Sequence, residues 1–232
     1  MLTIRKGIDR GVTDFGWLDS RHSFSFGDYS DPKHHQFHAL RVINDDRVAP
    51  GGGFPTHPHR DMEILTCVLS GQLEHRDSMG NGEVIHAGEW QVMTAGTGIQ
   101  HSEFNPSRTQ PVHLLQIWVF PDRKGHKPVY QQKSFSDSEK AGRWQLVASS
   151  DGGDGSLVIH QDARVYVAKL DRGQTVRHDL VRGRAAYLHL ATGSATVNGE
   201  KVIAGDGVAI ENETAVMVTG TEPGEVLLFD LA

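Results

Sequence analysis

The sequence of 232 residues predicts an all-β protein built from two similar barrel-like or sandwich-like units. Its 26 glycines are spread along the chain and separate short runs rich in Val, Ile, Leu and Thr, a pattern typical of many short strands joined by tight turns. Long segments with helical periodicity are scarce. The order of strands and glycine turns in the first half recurs weakly in the second half, which favours one β-barrel plan used twice.

Composition narrows the class of protein further. Apolar residues make up 38% and charged residues 22%, as in an ordinary soluble globular protein. The formal charge of -6 gives no electrostatic reason to expect nucleic-acid or membrane binding. The single cysteine, Cys67, allows no internal disulfide and lies in an apolar run, where burial is expected. No apolar run approaches the ~20 residues of a membrane helix and no secretory leader is visible, so a cytoplasmic protein is expected.

Residues 1–37 are predicted to be irregular and to be followed by a strand. Residues 1–37 contain several aromatic side chains between turn-forming residues, and we expect these aromatics to pack over the barrel that follows. His22 in this segment has no same-face partner, which favours a packing or hydrogen-bonding role over metal ligation. Residues 39–44 read as a strand that ends at Asp45-Asp46.

A run of short strands continues the first unit. They are predicted at 62–69, 72–77, 84–86, 90–93 and 112–120. Asn81-Gly82 is a hairpin signal between two of them. Residues 112–120 are almost continuously apolar, so this strand is expected to be buried on both faces.

A connector and a second strand-rich unit complete the chain. Residues 121–150 interrupt the strand pattern, with Ser136 as the cap of a short helical turn. Strands are predicted at 163–170, 186–190, 194–197, 207–210, 215–219 and 226–229. Asn198-Gly199 is again a hairpin turn. We therefore predict an N-terminal domain over residues 1–130 and a C-terminal domain over residues 131–232.

Two pairs of polar residues in the first unit predict a metal site. His57 and His59 follow a glycine run and lie one residue apart, so an extended strand projects both imidazoles from the same face. His101 and Glu103 form a second pair with the same spacing, also after a glycine-rich stretch. Imidazole suits iron, copper, zinc and nickel, and a carboxylate can complete such a site. Four protein ligands would leave room for water, oxygen or substrate, as a catalytic metal requires.

The second unit lacks such pairs. Its histidines, His160, His178 and His189, are isolated in the sequence and read as solvated or core residues. The predicted C-terminal domain is therefore expected to carry no metal ligands.

The motifs around these histidines resemble those of a known family. The pattern Gly51-x5-His57-x-His59-x3-Glu63-x7-Gly71 is similar to the first cupin motif, and Gly88-x7-Gly96-x-Gly98-x2-His101-x3-Asn105 is similar to the second. A closer resemblance is to the pirin family of two-domain cupins. It rests on the segments Gly16–Phe26 (GWLDSRHSFSF), Phe54–Glu63 (FPTHPHRDME) and Thr94–Glu103 (TAGTGIQHSE).

This resemblance implies two tandem cupin barrels of jelly-roll type, with a metal in the first. General cupins use the glutamate of the first motif as a ligand, here Glu63, whereas pirin-like proteins use the one after the second-motif histidine, here Glu103. The closer family implies the ligand set His57, His59, His101 and Glu103, with Glu63 beside the pocket. The expected metal is Fe(II), and copper, zinc, nickel and manganese are also compatible. The sequence departs from the general cupin pattern at Gly96, where proline is usual.

The resemblance also implies an activity. Pirin-like bacterial proteins resemble quercetin 2,3-dioxygenases, which open the central ring of a flavonol with O2 and release carbon monoxide. In that chemistry a carboxylate near the metal, Glu103 or Glu63, would accept the proton of the flavonol 3-hydroxyl. Candidate residues for the pocket lining are Phe54, Met62, Met93 and Trp118.

Two alternatives stay open from the sequence. The protein could be a non-catalytic metal-binding regulator or redox sensor that acts through a protein partner, because a metal site serves either role. It could also catalyse another metal-dependent reaction, such as an isomerisation or a hydrolysis, because one fold hosts many chemistries.

Overall fold

The computed structural model describes residues 1–232 and consists almost entirely of β-strands arranged as two barrels. Each barrel pairs a seven-stranded sheet with a four-stranded sheet. No helix in the structure is long and apolar enough to cross a lipid bilayer. The fold is therefore all-β with two tandem barrels, as the sequence predicts.

The first barrel contains two antiparallel sheets. Its strands are β2 (Gly11–Asp14), β3 (Leu18–His22), β4 (Leu40–Val48), β5 (Gly53–His59), β6 (Glu63–Ser70), β7 (Gln72–Asp77), β8 (Gly82–His86), β9 (Glu89–Thr94), β10 (Ile99–Phe104), β11 (Val112–Val119) and β12 (Val129–Ser134). The larger sheet has the order β12-β9-β6-β11-β4-β3-β2, and the smaller has the order β5-β10-β7-β8.

The second barrel repeats this plan with one additional feature. Its strands are β1 (Leu2–Arg5), β13 (Gln145–Ser149), β14 (Leu157–Val158), β15 (Ala163–Leu170), β16 (Thr175–Asp179), β17 (Ala185–Leu190), β18 (Ser194–Val197), β19 (Glu200–Ile203), β20 (Gly207–Ile210), β21 (Ala215–Glu222) and β22 (Gly224–Leu231). The larger sheet has the order β1-β20-β17-β22-β15-β13-β14, and the smaller has the order β16-β21-β18-β19. The first strand of the chain thus lies at the edge of the second barrel, paired with β20.

One short helix and two 3-10 turns complete the structure. The helix α1 (Asp137–Lys140) begins at Ser136, whose side chain accepts a hydrogen bond from the Glu139 amide while Glu139 reaches back to the Ser136 amide. The 3-10 turns span Gly7–Asp9 and Gly153–Gly155. The helical turn predicted from Ser136 is therefore confirmed.

The largest apolar cluster lies between the barrels rather than inside either one. It joins residues of both seven-stranded sheets, such as Leu65 and Trp90 from the first and Val165 and Phe229 from the second, all fully buried. A separate apolar cluster fills the second barrel. Two smaller clusters line the first barrel and leave part of its interior to polar side chains. The two barrels therefore share one core along their larger sheets.

Several sequence predictions are confirmed at the level of single elements. Strand β11 has apolar side chains buried on both faces, because Leu115 and Ile117 enter the inter-barrel cluster while Leu114 enters the first barrel. The turn at Asn198-Gly199 has both residues at positive φ, as a two-residue hairpin requires. The hairpin β7–β8 also forms, but its turn lies at residues 78–80 rather than at Asn81-Gly82, because Gly82 already pairs with Arg76 as the first residue of β8.

Two predictions about the N-terminal part were wrong. Residues 1–37 are not irregular, since they contain β1, β2 and β3. Strand β4 does not end at Asp45-Asp46 but continues to Val48. The two carboxylates are accommodated on opposite faces: Asp45 pairs with Arg10 and His113 on the outer face, and Asp46 accepts a hydrogen bond from Ser20 inside the barrel.

The predicted division at residue 130 stays a prediction. Residues 2–5 are hydrogen-bonded into a sheet of the second barrel. Strand β12 spans the predicted boundary and belongs to a sheet of the first barrel.

Candidate metal centre

Strands β5 and β10 bring three histidines together inside the first barrel. The strands are antiparallel, with His57 opposite His101 and His59 opposite Ile99. The Nε2 atoms of His57 and His101 lie 3.1 Å apart. The ring centroid of His59 lies 4.7 Å from that of His57 and 4.8 Å from that of His101. The three histidines of the two pairs predicted from sequence spacing thus lie close together.

A bulge in β5 adapts this strand to the site. Between His101 and Glu103 on β10, the partner residue shifts from His57 to Phe54, so β5 has one more residue than β10 over this stretch. The bulge contains Pro55, whose carbonyl oxygen is 2.8 Å from Nδ1 of His57. It therefore turns Phe54 towards the same space as His57.

Gly53 allows the two ligand-bearing strands to approach closely. A Cβ atom at this position would lie 2.5 Å from Cδ1 of Phe104 and would also overlap the carbonyl oxygen of Glu103. The backbone of β10 cannot yield without displacing Glu103. The glycine run that precedes His57 in the sequence thus has a steric role at its last residue.

The variant Gly53→Ala tests this steric role. We expect it to push β5 away from β10, to lower the free energy of unfolding by about 1–3 kcal/mol, and to reduce the bound metal per chain. Gly82→Ala is the matched control, because the nearest atom to its Cβ would be 4.0 Å away. Denaturant unfolding and elemental analysis measure both quantities. Equal behaviour of the two variants would contradict the argument.

Glu103 lies beside the histidines in a fully buried position. Its Oε2 accepts a hydrogen bond of 3.2 Å from Nε2 of Gln116, whereas Oε1 has no hydrogen-bond partner. Ligand atoms of Glu103, His101 and His75 lie within 4.8 Å of one another, as do those of His57, His59 and His101. His101 therefore belongs to both groups and links Glu103 to the other two histidines.

His75 is a residue of this centre that the sequence reasoning missed. It is fully buried, and its Nε2 lies 3.2 Å from Oδ2 of Asp77, which favours donation to the carboxylate. Its Nδ1 lies 3.4 Å from Nδ1 of His101, and its ring stacks on Tyr130. Because both nitrogens of His75 are engaged, it orients His101 rather than offering a free ligand atom. The same-face pair His75-x-Asp77 was the available signal.

These contacts leave the remaining nitrogens suited to a cation. Donation from Nδ1 of His57 to the Pro55 carbonyl, and from Nδ1 of His101 to His75, leaves both Nε2 atoms with a free lone pair. Burial, followed by the neighbouring imidazoles, lowers the pKa of His59 and of His101 to about 3. The neutral imidazole that binds metals is thus the form present at pH 7.

The arrangement fits a metal ion on two further grounds. Two nitrogens bound side by side to one ion at 2.0–2.1 Å lie about 3 Å apart, and the observed separation is 3.1 Å. Burial raises the pKa of Glu103, because taking a carboxylate out of water is unfavourable when it is charged, and the hydrogen bond from Gln116 only partly opposes this. A cation beside the unpartnered Oε1 would supply the missing interaction.

The histidines open into a cavity of about 470 Å³. The β5 wall contributes His57, His59 and Phe54, and the opposite wall consists of residues from β2, β3, β4 and β11. Trp118 lies edge-on to His59 at 5.1 Å and edge-on to Phe26 at 5.3 Å. Phe26 thus packs over the cavity, as expected for the aromatic residues of the N-terminal segment.

The predicted pocket lining is confirmed for two of four residues. Phe54 and Trp118 line the cavity. Met62 and Met93 instead pack with Ile64, Ala95 and Ile99 in a small apolar cluster. His22 lines the cavity as a hydrogen-bonded residue, with Nδ1 2.8 Å from Asn44, and is not among the clustered ligands.

Glu63 lies apart from the histidine cluster. Its Oε2 accepts a hydrogen bond of 2.8 Å from Thr94, and its Oε1 lies 3.2 Å from Nδ1 of His160. His160 comes from the second barrel, and its ring centroid lies 3.9 Å from that of His126. One oxygen of Glu63 is thus engaged within the first barrel and the other in a link between the barrels, so these contacts give no support to a proton-accepting role beside the metal.

Comparison with known proteins identifies the family. Residues 5–119 match the Pirin family, and residues 146–231 match the quercetinase C-terminal cupin domain. The chain is 49% identical over 231 residues to a protein of Escherichia coli (strain K12) named quercetin 2,3-dioxygenase, covering 100% of this chain and 99% of the relative. It is 42% identical over 231 residues to a pirin-like protein of Caulobacter vibrioides, covering 98% of this chain and 99% of that one.

A solved structure gives the same result. The bacterial pirin YhhW from Escherichia coli in complex with nickel(II) superposes with a TM-score of 0.95 at 48% identity, covering 100% of this chain and 99% of that one. The family matches of both halves of the sequence, the two-barrel fold and the full-length relatives all indicate the same family. The chain therefore belongs to the pirin family, and its two barrels are two cupin domains.

Proposed function

We propose that this protein is a metal-dependent dioxygenase that cleaves a flavonol such as quercetin with O2. The reaction would take place at a single mononuclear centre in the first barrel, held by His57, His59, His101 and Glu103. Full-length relatives named quercetin 2,3-dioxygenase support the reaction class. The related pirin in complex with nickel(II) supports a divalent metal.

One structural observation carries the proposal. The buried Oε1 of Glu103 has no hydrogen-bond partner, and it lies beside His101, which clusters with His57 and His59 next to a cavity that contains several aromatic side chains. A metal centre next to a cavity with Phe26, Phe54 and Trp118 in its wall suits a flat aromatic substrate better than a highly charged one.

The residues have distinct tasks in this proposal. The histidine Nε2 atoms and Oε1 of Glu103 would hold the metal, which when bound supplies the Lewis acidity that favours the oxyanion of the flavonol 3-hydroxyl. Glu103 is the carboxylate of this cluster, and we assign to it the acceptance of the hydroxyl proton. The hydrogen bond from Gln116 keeps the carboxylate in place during this transfer. Phe54 and Trp118 hold the aromatic rings and exclude water.

The metal we propose is Fe(II). Three imidazoles and one carboxylate suit iron, and copper, zinc, nickel and manganese are compatible with the same donors. Elemental analysis of the purified protein identifies the resident ion.

An oxygen-dependence experiment tests the proposed reaction. Protein loaded separately with Fe(II), Cu(II), Ni(II) or Mn(II) is incubated with quercetin, with and without O2. We expect loss of the flavonol absorbance and release of carbon monoxide only with O2, and neither with His101→Ala. Stable metal binding without turnover by any of these ions would overturn the proposal and favour a non-catalytic regulator.

A further inference from the structure

Asp46 is a buried carboxylate in the cavity that the proposed reaction does not use. It is 2% exposed and lies on β4, in the larger sheet, whereas the histidines lie on the smaller sheet. Asp46 and the histidines His57 and His59 line the same cavity from these two walls. A substrate held at the metal thus has Asp46 facing it across the barrel interior.

The contacts of Asp46 leave one oxygen available. Ser20 donates a hydrogen bond to Oδ1, and the two residues are directly opposite each other on β3 and β4. Oδ2 has no hydrogen-bond partner in the protein, although the side chain lines the cavity. A buried carboxylate with only one hydrogen bond is unfavourable unless a ligand supplies another.

The electrostatic surroundings agree with this geometry. Burial raises the pKa of Asp46 to about 7, and the nearby carboxylates Asp45, Glu103 and Asp19 act in the same direction, while the hydrogen bond from Ser20 opposes them. No cation is paired with this carboxylate. The surroundings therefore favour a neutral hydroxyl donor as the partner of Asp46 over a second anion.

The neighbouring side chains indicate the shape of the ligand. Phe54 and Trp118 line the cavity together with Leu18, Phe15 and Phe26, so a flat aromatic ring fits between the two sheets. The other polar side chains of this wall each make at least one hydrogen bond within the protein: Thr13, Ser20, His22, Asn44 and Gln116. Asp46 is the carboxylate of this wall, and its Oδ2 is not engaged.

We propose that Oδ2 of Asp46 accepts a hydrogen bond from a phenolic hydroxyl of the substrate, and so selects polyhydroxylated flavonols over those that carry only the 3-hydroxyl. This inference rests on the proposed function, because it places a flavonol in the cavity. Ser20 positions the carboxylate, and the metal centre holds the other end of the ligand. Asp46 is a specificity-determining residue in this assignment and takes no part in the chemical step.

A binding experiment without turnover tests Asp46 independently of catalysis. Quercetin and 3-hydroxyflavone are titrated anaerobically into the metal-loaded protein, and quenching of the intrinsic tryptophan fluorescence reports binding, because Trp118 lines the cavity. At a pH above about 7, where Asp46 is charged, we expect the wild-type protein to bind quercetin about 10- to 100-fold more tightly than 3-hydroxyflavone, as for a hydrogen bond to a charged group. Asp46→Asn should remove most of this preference by weakening quercetin binding, with 3-hydroxyflavone binding unchanged. Ser20→Ala should reduce the preference less.

The controls separate specificity from structure. Asp19→Asn removes a carboxylate next to Ser20 on the same strand, where it pairs with Arg21 instead of lining the cavity, and should keep the preference. If Asp46 had only a structural role, its replacement would weaken the binding of quercetin and of 3-hydroxyflavone equally. An equal loss for both ligands overturns the inference. If Asp46→Asn does not fold, the ratio of quercetin affinity to 3-hydroxyflavone affinity is measured for Asp46→Ala instead. Discrimination without any oxygen-dependent turnover would overturn the dioxygenase and keep the assignment of Asp46.

Discussion

Replacing His101 or Glu103 with alanine is expected to empty the metal centre. His101 belongs to both groups of clustered ligand atoms, and Glu103 carries the only carboxylate in them. Outer partners of metal sites change affinity by about 10- to 100-fold, so loss of a direct ligand should cost more than this. His57→Ala and His59→Ala should behave in the same way. The metal-to-protein ratio after dialysis against a weak chelator measures the effect.

Two conservative variants decide which glutamate is the ligand. Glu103→Gln and Glu63→Gln keep the size of the side chain and remove the charge. We expect Glu103→Gln to lose the metal and Glu63→Gln to retain it, because Glu63 hydrogen-bonds to Thr94 and His160 away from the cluster. If Glu63→Gln empties the site and Glu103→Gln leaves it full, the ligand assignment is wrong.

The variant Phe229→Ala should have the largest effect on stability. Phe229 is fully buried in the cluster between the two larger sheets. Truncation of a buried phenylalanine costs about 3–5 kcal/mol, since it removes apolar contacts and leaves a cavity. Because Trp90 of the first barrel lies in the same cluster, we expect both barrels to lose stability together. Val181→Ala, at a side chain that is 66% exposed, should change stability by less than about 0.5 kcal/mol.

Unfolding in denaturant, followed by two probes, measures this coupling. Tryptophan fluorescence reports mainly the first barrel, which contains Trp17, Trp90 and Trp118, and circular dichroism reports strands throughout the chain. Coincident transitions in the wild type, shifted equally by Phe229→Ala, are the expected result. Two separate transitions, with only one of them shifted, would show that the barrels do not share their stability.

The candidate ligands could be predicted from sequence because their signal is local. His57, His59, His101 and Glu103 occur as pairs with the period of a strand, and antiparallel pairing of β5 with β10 brings the pairs together. The turn at Asn198-Gly199 and the cap at Ser136 have equally local causes. In each case the residues within a few positions determine the conformation.

Other features depend on partners distant in sequence and could not be predicted. Strand β4 continues through Asp45 because Arg10 and His113, from elsewhere in the chain, pair with that carboxylate. The bulge beside Pro55 is visible only as a shift of register against β10. Glu63 was expected beside the pocket, and its engagement by His160 depends on how the two barrels meet.

The position of β1 has a consequence for the order of events during synthesis. Leu2–Arg5 are translated long before their partners Gly207–Ile210, with the whole first barrel in between. Pairing over such a separation is entropically slow, and β20 without β1 presents an unpaired edge that invites association with other chains. The second barrel is therefore complete only when a segment translated before the first barrel has paired with its edge.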